Sequence, residues 1–229
     1  MAKEIYETPL EALEATNGFY KDLEGFQYSE DQVTKWLDKH IKLPRVGNVL
    51  DLCCGDGIWS KGMKILNPNL EYFGIDISSG AIEKARILME SDSQHFVIGD
   101  AEGKLPFEDS FFDVIFARGP GLYNQHSMDR LATIKIIEDW HNKLSDRGLF
   151  YSIFASTPEK MGTYTPMNQV KLPYNRSPRK TEAVDFLGGK YHHNIESFLT
   201  PFWKAENVKL VSYSFVNNMH VLVTKKDNK

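Results

Sequence analysis

NVLDLCCGDGIWS, residues 48–60, is a short apolar run broken by one acid, followed by two cysteines, two glycines flanking an aspartate, and an aromatic residue before a serine. The run through Cys54 is short and apolar, as a buried strand is. The glycines let the backbone turn tightly and come close to a ligand. The residues after them, IWSKGMKILN (58–67), have helical character and stop before Pro68. Strand, glycine turn and helix in that order aim the free N–H groups of a helix start at the turn. Such a turn could serve a disulfide, a metal, a phosphate or a charged small molecule.

Working outward, the same alternation repeats. A helix is expected over 29–43, with apolar residues at 33, 36, 37 and 41, Ser29 as N-cap and Pro44 as stop. Strands are expected at 70–77, 95–100, 111–118 and 148–156, and helices at 78–91 and 128–144, the latter stopped by SDRG. Strands alternating with helices of this length form parallel βαβ units. A helix is expected at about 192–205, and the chain then reads as two β-rich runs meeting at Asn217–Asn218, a hairpin. The predicted fold class is α/β: a doubly wound, mostly parallel seven-stranded sheet ending in an antiparallel β-hairpin, Rossmann-like.

The whole chain narrows the choice. With 229 residues it can bury a full core. Hydrophobic residues are 41% and charged residues 25%, as in globular proteins generally. The net charge of −4 argues against a general nucleic-acid binder. Cys53 and Cys54 are the only cysteines and are adjacent, a spacing that strains a disulfide ring. They give no disulfide framework and no cysteine-based zinc site. This composition suits a reducing compartment, and the expected location is cytoplasmic. The N-terminus is acidic and interrupted by Pro9, so no signal peptide is read there. No apolar stretch reaches ~18 residues, so no membrane span is expected.

Ligands of open α/β sheets bind outside the carboxyl ends of the strands. Those ends carry Asp51–Gly57, Asp76, Asp100 and Arg118-Gly119-Pro120-Gly121. An acid four residues before Gly55 repels phosphate and suits an ammonium or sulfonium. The dinucleotide fingerprint also fails, because Ser60 stands where a third glycine belongs. Asp76, nineteen residues after Gly57, has the spacing of an acid that grips ribose hydroxyls. Asp100 on a third strand adds an acceptor for an exocyclic amine.

VLDLCCGDG, YFGIDIS and FVIGDAEGKLPFEDSFFDVIFA, in this order, resemble the successive motifs of class I S-adenosylmethionine-dependent methyltransferases. The resemblance covers roughly residues 47–155, and the terminal hairpin fits that fold; Cys54 departs from the glycine commoner at its position. It implies S-adenosylmethionine as cofactor and S-adenosylhomocysteine as product. It implies that Asp51, Cys53, Gly55 and Gly57 surround the methionine part of the cofactor. It further implies that Asp76 binds the ribose hydroxyls, that Ile77 packs on the adenine, and that Asp100 accepts from the adenine amine with Ala101 beside it. One domain is expected over 1–229: a helical cover over 1–45, the cofactor core over 46–156, a substrate-side insertion and helix over 157–205, and the hairpin over 206–229.

A sulfonium methyl is already electrophilic, so holding a nucleophile in line with it is the main catalytic task. Both cysteines lie in the first motif, which excludes a cysteine-dependent pyrimidine C5 mechanism. The loop ARGPGLY lacks the Asn/Asp-Pro-Pro-Tyr/Phe motif of amino-methylating relatives, and the acids of metal-dependent catechol-type enzymes are absent, so no metal is expected. His192 and His193 lack the spacing of a helical metal pair. Arg118, Tyr123 and His126 are the catalytic candidates: a carboxylate-binding cation, an orienting hydroxyl and a general base. Each also has an ordinary alternative: a salt bridge, core packing and a surface histidine.

Residues 156–190 hold six basic and three acidic side chains, with Tyr164 and Tyr174 among them. That segment is expected to cover the acceptor, and the N-terminal NGFYKDLEGFQYSE (17–30) to close over the cofactor with Tyr20 and Tyr28 inward. The function read from this pattern is methyl transfer to a small-molecule acceptor. An RNA or protein methyltransferase using the basic insertion, a non-catalytic S-adenosylmethionine-binding regulator, and a NAD-dependent oxidoreductase are the alternatives.

Overall fold

The computed structural model describes Tyr20, Gly25, and residues 28–120, 131–155, 195–216 and 219–227. Tyr123, His126, the histidine pair and the basic insertion lie outside the described residues, as does the hairpin turn at 217–218.

Helix α1 spans Glu30–His40. Ser29 caps it: its side chain accepts from the Gln32 N–H while the Gln32 side chain accepts from the Ser29 N–H, a reciprocal capping box. The helix ends at His40, and its C-cap Ile41 lies three residues before Pro44. Strand β1 (Gly47–Leu52) leads into α2 (Ile58–Leu66). Next come β2 (Leu70–Asp76), α3 (Ser79–Met89), β3 (Phe96–Ile98) and β4 (Phe112–Arg118). Helix α4 (Leu131–Asn142), strand β5 (Leu144–Ala155), helix α5 (Ile195–Lys204) and strands β6 (Val208–Val216) and β7 (Met219–Lys226) complete the order.

These seven strands form one sheet in the order β3-β2-β1-β4-β5-β7-β6. Pairs among β1 to β5 are parallel, and β7 runs antiparallel to both β5 and β6. The predicted doubly wound sheet with a terminal hairpin is therefore present. The switch in strand direction of growth falls between β1 and β4, where the order reverses and ligand crevices form.

Each face of the sheet is covered. One core packs Leu50, Leu52, Ile115 and Phe150 with Trp140 of α4 and Phe202 of α5. The other packs Val49, Val114, Phe116 and Ile153 with Leu37 of α1, Met63 of α2 and Ile82 of α3. Burial on both faces explains why these strands read as apolar runs without alternation. Helix α1 reaches α2 through Gly62, where a Cβ would stand 2.7 Å from Val33 and 2.9 Å from Leu37.

Two boundaries differ from the sequence reading. Helix α4 ends at Asn142, and β5 begins at Leu144 instead of 148, taking in the SDRG segment. Leu144 pairs with Phe112, and the register then shifts so that Leu149 meets Val114. The extra residues bulge, and Ser145 Oγ donates to Asp113 Oδ1 at 2.9 Å. A bulge of turn-type residues inside a strand reads locally as a helix stop. Strand β3 is likewise only three residues, and its last ladder bond is the Gly99 N–H donating to Asp76 O.

Candidate functional site

The carboxyl end of β1 is shaped by left-handed backbone. Cys53, Gly55 and Gly57 have φ of 62°, 55° and 79°. That conformation is ordinary for glycine and uncommon for cysteine. Gly57 is the N-cap of α2 and offers no side chain, so Asp56 Oδ1 accepts from the Ile58 N–H at 3.3 Å instead. Gly57 also has no room for a side chain, since a Cβ would lie 2.9 Å from that of Ala85 on α3. The Cys54 N–H donates to Ile75 O at 3.0 Å, tying the turn to β2. Both thiols are free and are pushed up by burial first and then by the surrounding aspartates.

Asp51 points into this turn from β1. It is 1% exposed, and Ser60 Oγ of α2 donates to its Oδ2 at 2.6 Å. Burial pushes its carboxyl up to about 7, helped by Asp76 and Asp56 and opposed by the Ser60 hydrogen bond and by Arg118. Ser60 was legible only as a failed glycine; its role as the partner of Asp51 comes from the first turn of α2 passing directly over β1.

At the end of β2, Asp76 holds two loops together. Its Oδ2 accepts from the Gly55 N–H and its Oδ1 from the Ser78 N–H, each at 2.9 Å. Helix α3 has its own cap, since Ser78 Oγ accepts from the Ala81 N–H. Burial raises the Asp76 carboxyl, partly offset by these backbone donors. Ile77, beside it, is an exposed apolar side chain, 37% accessible. Asp100 is exposed after β3, and its Oδ1 accepts from the Glu102 N–H at 2.8 Å. Ala101 is buried, and its carbonyl accepts from Trp140 Nε1 at 2.7 Å, which pins this loop to α4. The four cofactor-side strand ends thus meet along one rim of the sheet.

Arg118 closes the rim at β4. Its guanidinium lies over the rings of Tyr28 and Trp59, 4.7 and 4.8 Å from their centroids, and donates to the Tyr28 hydroxyl. Its partners among the described residues are rings and a phenol; the salt bridge weighed from sequence is not among them. Trp59 also stacks on Phe116 and meets Trp36 edge-on. Trp59 is no site candidate from its sequence pattern; its place two residues after Gly57, on the first turn of α2, is the signal that points to it. Tyr28 is inward, as expected. Tyr20 lies over Gly55, where an added Cβ would meet its hydroxyl, and burial followed by Asp76 and Asp56 raises its phenol.

Among the described residues, acids crowd the glycine turn. Asp51, Asp56 and Asp76 are 1%, 3% and 6% exposed around one glycine turn. Arg118 is the basic group whose field reaches Asp51. Buried carboxylates oppose a phosphate and favour a cation. Close backbone at Gly55, an exposed apolar side chain at Ile77 and this excess of acid fit an adenosyl sulfonium. Among the described residues no cluster of His, Cys, Asp or Glu could hold a metal ion, and no helix is long and apolar enough to cross a membrane.

Residues 49–146 match a family model described as a methyltransferase domain. The sheet order and the rim just described agree with that match, and over this segment the chain is similar to class I S-adenosylmethionine-dependent methyltransferases. A demethylmenaquinone methyltransferase of Bacillus licheniformis is 29% identical over 135 residues, covering 57% of this chain and 56% of that protein. The chain therefore matches little more than half the length of this curated relative. Among solved structures, a Pyrococcus horikoshii protein superposes with a TM-score of 0.59 at 20% identity, covering 91% of this chain and 98% of its own. An S-adenosylmethionine-dependent methyltransferase of Mesorhizobium loti gives 0.57 at 14% identity, covering 86% and 99%. At such identities the two structures share the fold.

Proposed function

We propose that this protein transfers a methyl group from S-adenosylmethionine to a small-molecule acceptor. The observation that carries the reading is the acid-rich glycine turn at the end of β1, joined by the Asp76 carboxylate to the start of α3. When bound, the cofactor supplies an electrophilic methyl, displaced in line by the acceptor's nucleophile. The chain's own residues then have positioning work. Gly55 and Gly57 allow close backbone approach, Asp76 is placed for the ribose hydroxyls, Ile77 offers an apolar face for the adenine, and Asp100 with Ala101 borders the amine. Cys53 and Asp51 stand at the methionine end.

Arg118 has the fixed, planar donor fork suited to a carboxylate, either the acceptor's or the cofactor's. Holding it between Tyr28 and Trp59 removes much of the rotamer freedom that such a contact otherwise costs. Tyr123 and His126 remain proposed for orienting the acceptor and taking its proton. A small acceptor is supported by the net charge of −4, which argues against a phosphate-backbone partner. The relative named for demethylmenaquinone likewise acts on a small organic molecule.

Calorimetric titration with S-adenosylmethionine, S-adenosylhomocysteine and NAD tests this. Both adenosyl ligands should bind, and NAD should not. Asp76→Ala should weaken them by on the order of 100-fold, with Asp76→Asn, which keeps one acceptor, falling between. Ligand at a hundred times its dissociation constant should stabilise the fold by about 2.7 kcal/mol. Failure of both adenosyl ligands to bind would overturn the proposal.

A further inference from the structure

We infer that the methyl acceptor is an organic acid and that Arg118 holds its carboxylate. The inference rests on the reading just proposed and deepens it, by naming the class of acceptor that the β4 end of the site receives.

Arg118 is fixed in place while most of its donors remain to be used. Tyr28 and Trp59 meet edge-on, at 73° and 5.8 Å between centroids, and make a corner. The guanidinium lies against both rings, 4.7 and 4.8 Å from their centroids. Trp59 is itself held by stacking on Phe116 of β4 and by the edge contact with Trp36 of α1. One nitrogen of the guanidinium, Nη2, donates to the Tyr28 hydroxyl. A guanidinium has several further donors in its plane. The ion pairs among the described residues are Lys35 with Asp31, His95 with Asp92 and Lys143 with Asp109, and Arg118 joins none of them. The nearby Asp51 takes its hydrogen bond from Ser60 instead. Aromatic rings suit the faces of a guanidinium, and its in-plane N–H edge suits an acceptor with two coplanar oxygens, which is the shape of a carboxylate.

The sheet order decides whose carboxylate this is. In the order β3-β2-β1-β4, the residues proposed for the adenine amine, the ribose and the methionine follow one another: Asp100 after β3, Asp76 on β2 and Asp51 on β1. Arg118 ends β4, the next strand, roughly 5 Å further along the rim. A cofactor laid from β3 to β1 ends before that strand, and the acceptor approaches from beyond its methionine end. The surrounding acids narrow the anion. Asp51, Asp56 and Asp76 are buried about the glycine turn, and their repulsion grows with the negative charge of the ligand. A singly charged carboxylate is therefore favoured over a more highly charged phosphate.

The test titrates benzoate, benzamide and inorganic phosphate into the full chain saturated with S-adenosylhomocysteine, by calorimetry. Benzoate should bind with a dissociation constant on the order of 1 mM, as suits so small a ligand. Benzamide, of the same shape without the charge, should bind at least about tenfold more weakly, and phosphate should not displace benzoate. Arg118→Met should lower benzoate affinity by about tenfold or more, and Arg118→Lys, which keeps the charge and loses the fork, by about three- to tenfold. S-adenosylhomocysteine should bind both variants within about threefold of the wild type, since the fork lies beyond it. Benzoate that does not bind, that binds no better than benzamide, that yields to equimolar phosphate, or that binds Arg118→Met as well as the wild type would overturn the inference. So would a loss of S-adenosylhomocysteine affinity in Arg118→Met as large as that of benzoate, which would give the fork to the cofactor's carboxylate. Should Arg118→Met not fold, benzoate affinity unchanged in Arg118→Lys would overturn it instead. If S-adenosylhomocysteine does not bind the wild type, the proposed function itself fails; if it binds and benzoate does not, only the inference does.

Discussion

Gly57 joins a backbone requirement to a packing requirement. Its φ of 79° is strained for any other residue, and the space its side chain would fill belongs to Ala85 of α3. Gly57→Ala should cost about 1–3 kcal/mol, seen as a lower denaturant midpoint with the slope unchanged. At this scale the sequence was a good guide where a residue type has one dominant use. Gly55, Gly57 and Asp76 stand where their spacing put them. It was a poor guide where a residue's meaning depends on what passes over it. In sequence, Ser60 reads as a departure from a glycine pattern and Trp59 as a helix residue. Burial against Asp51 and Arg118 makes them parts of the site. An acid at the end of a strand and a hydroxyl nine residues later was the signal available.

Helix α1 illustrates the next scale. Its capping box, apolar positions and N-cap were all visible locally, since each depends on residues within one turn. Its docking was not, because Gly62 gains its role only when Val33 and Leu37 arrive from another helix. Gly62→Val should push α1 from α2 and destabilise by about 1–3 kcal/mol. Because Tyr28 precedes α1 and contacts Arg118, the same change should weaken adenosyl-ligand binding, which calorimetry would register. The bulged start of β5 belongs here too: pairing with Phe112 and the Ser145–Asp113 hydrogen bond overrode turn-type residues.

Across the whole molecule, buried ionisable groups give opposing pH dependences. His141 of α4 is fully buried, its Nδ1–H donating to Ile137 O and its Nε2 accepting from Thr224 of β7, both at 2.7 Å. Burial lowers it from 6.5 to about 4. The unfolded chain then binds the extra proton, so stability is full above pH 6.5 and falls as pH drops towards 4. The largest loss from His141 is about 3 kcal/mol. His220, lowered by burial to about 3, adds in the same direction. Asp51 acts oppositely: its carboxyl is raised in the fold, so its contribution is fully favourable below the unfolded value and is lost as pH rises to about 7. Urea unfolding between pH 4.5 and 7 should therefore show a shallow slope. His141→Gln should tilt it towards greater stability at low pH, and Asp51→Asn towards greater stability at high pH.

Much of the fold was determined by the sequence alone. The order of strands and helices, the parallel sheet, the terminal hairpin and the rim of glycines and acids all follow from hydrophobic period, turn residues and chain-order rules, which act over a few residues at a time. Tertiary structure alone decided how far burial raises the acids' carboxyls and where the cation at β4 rests. Those depend on burial and on neighbours far apart in sequence: Tyr28 and Arg118 are 90 residues apart, and Asp76 and Gly55 are 21. A charge's energy is set by what surrounds it in space, and folding alone assembles those surroundings.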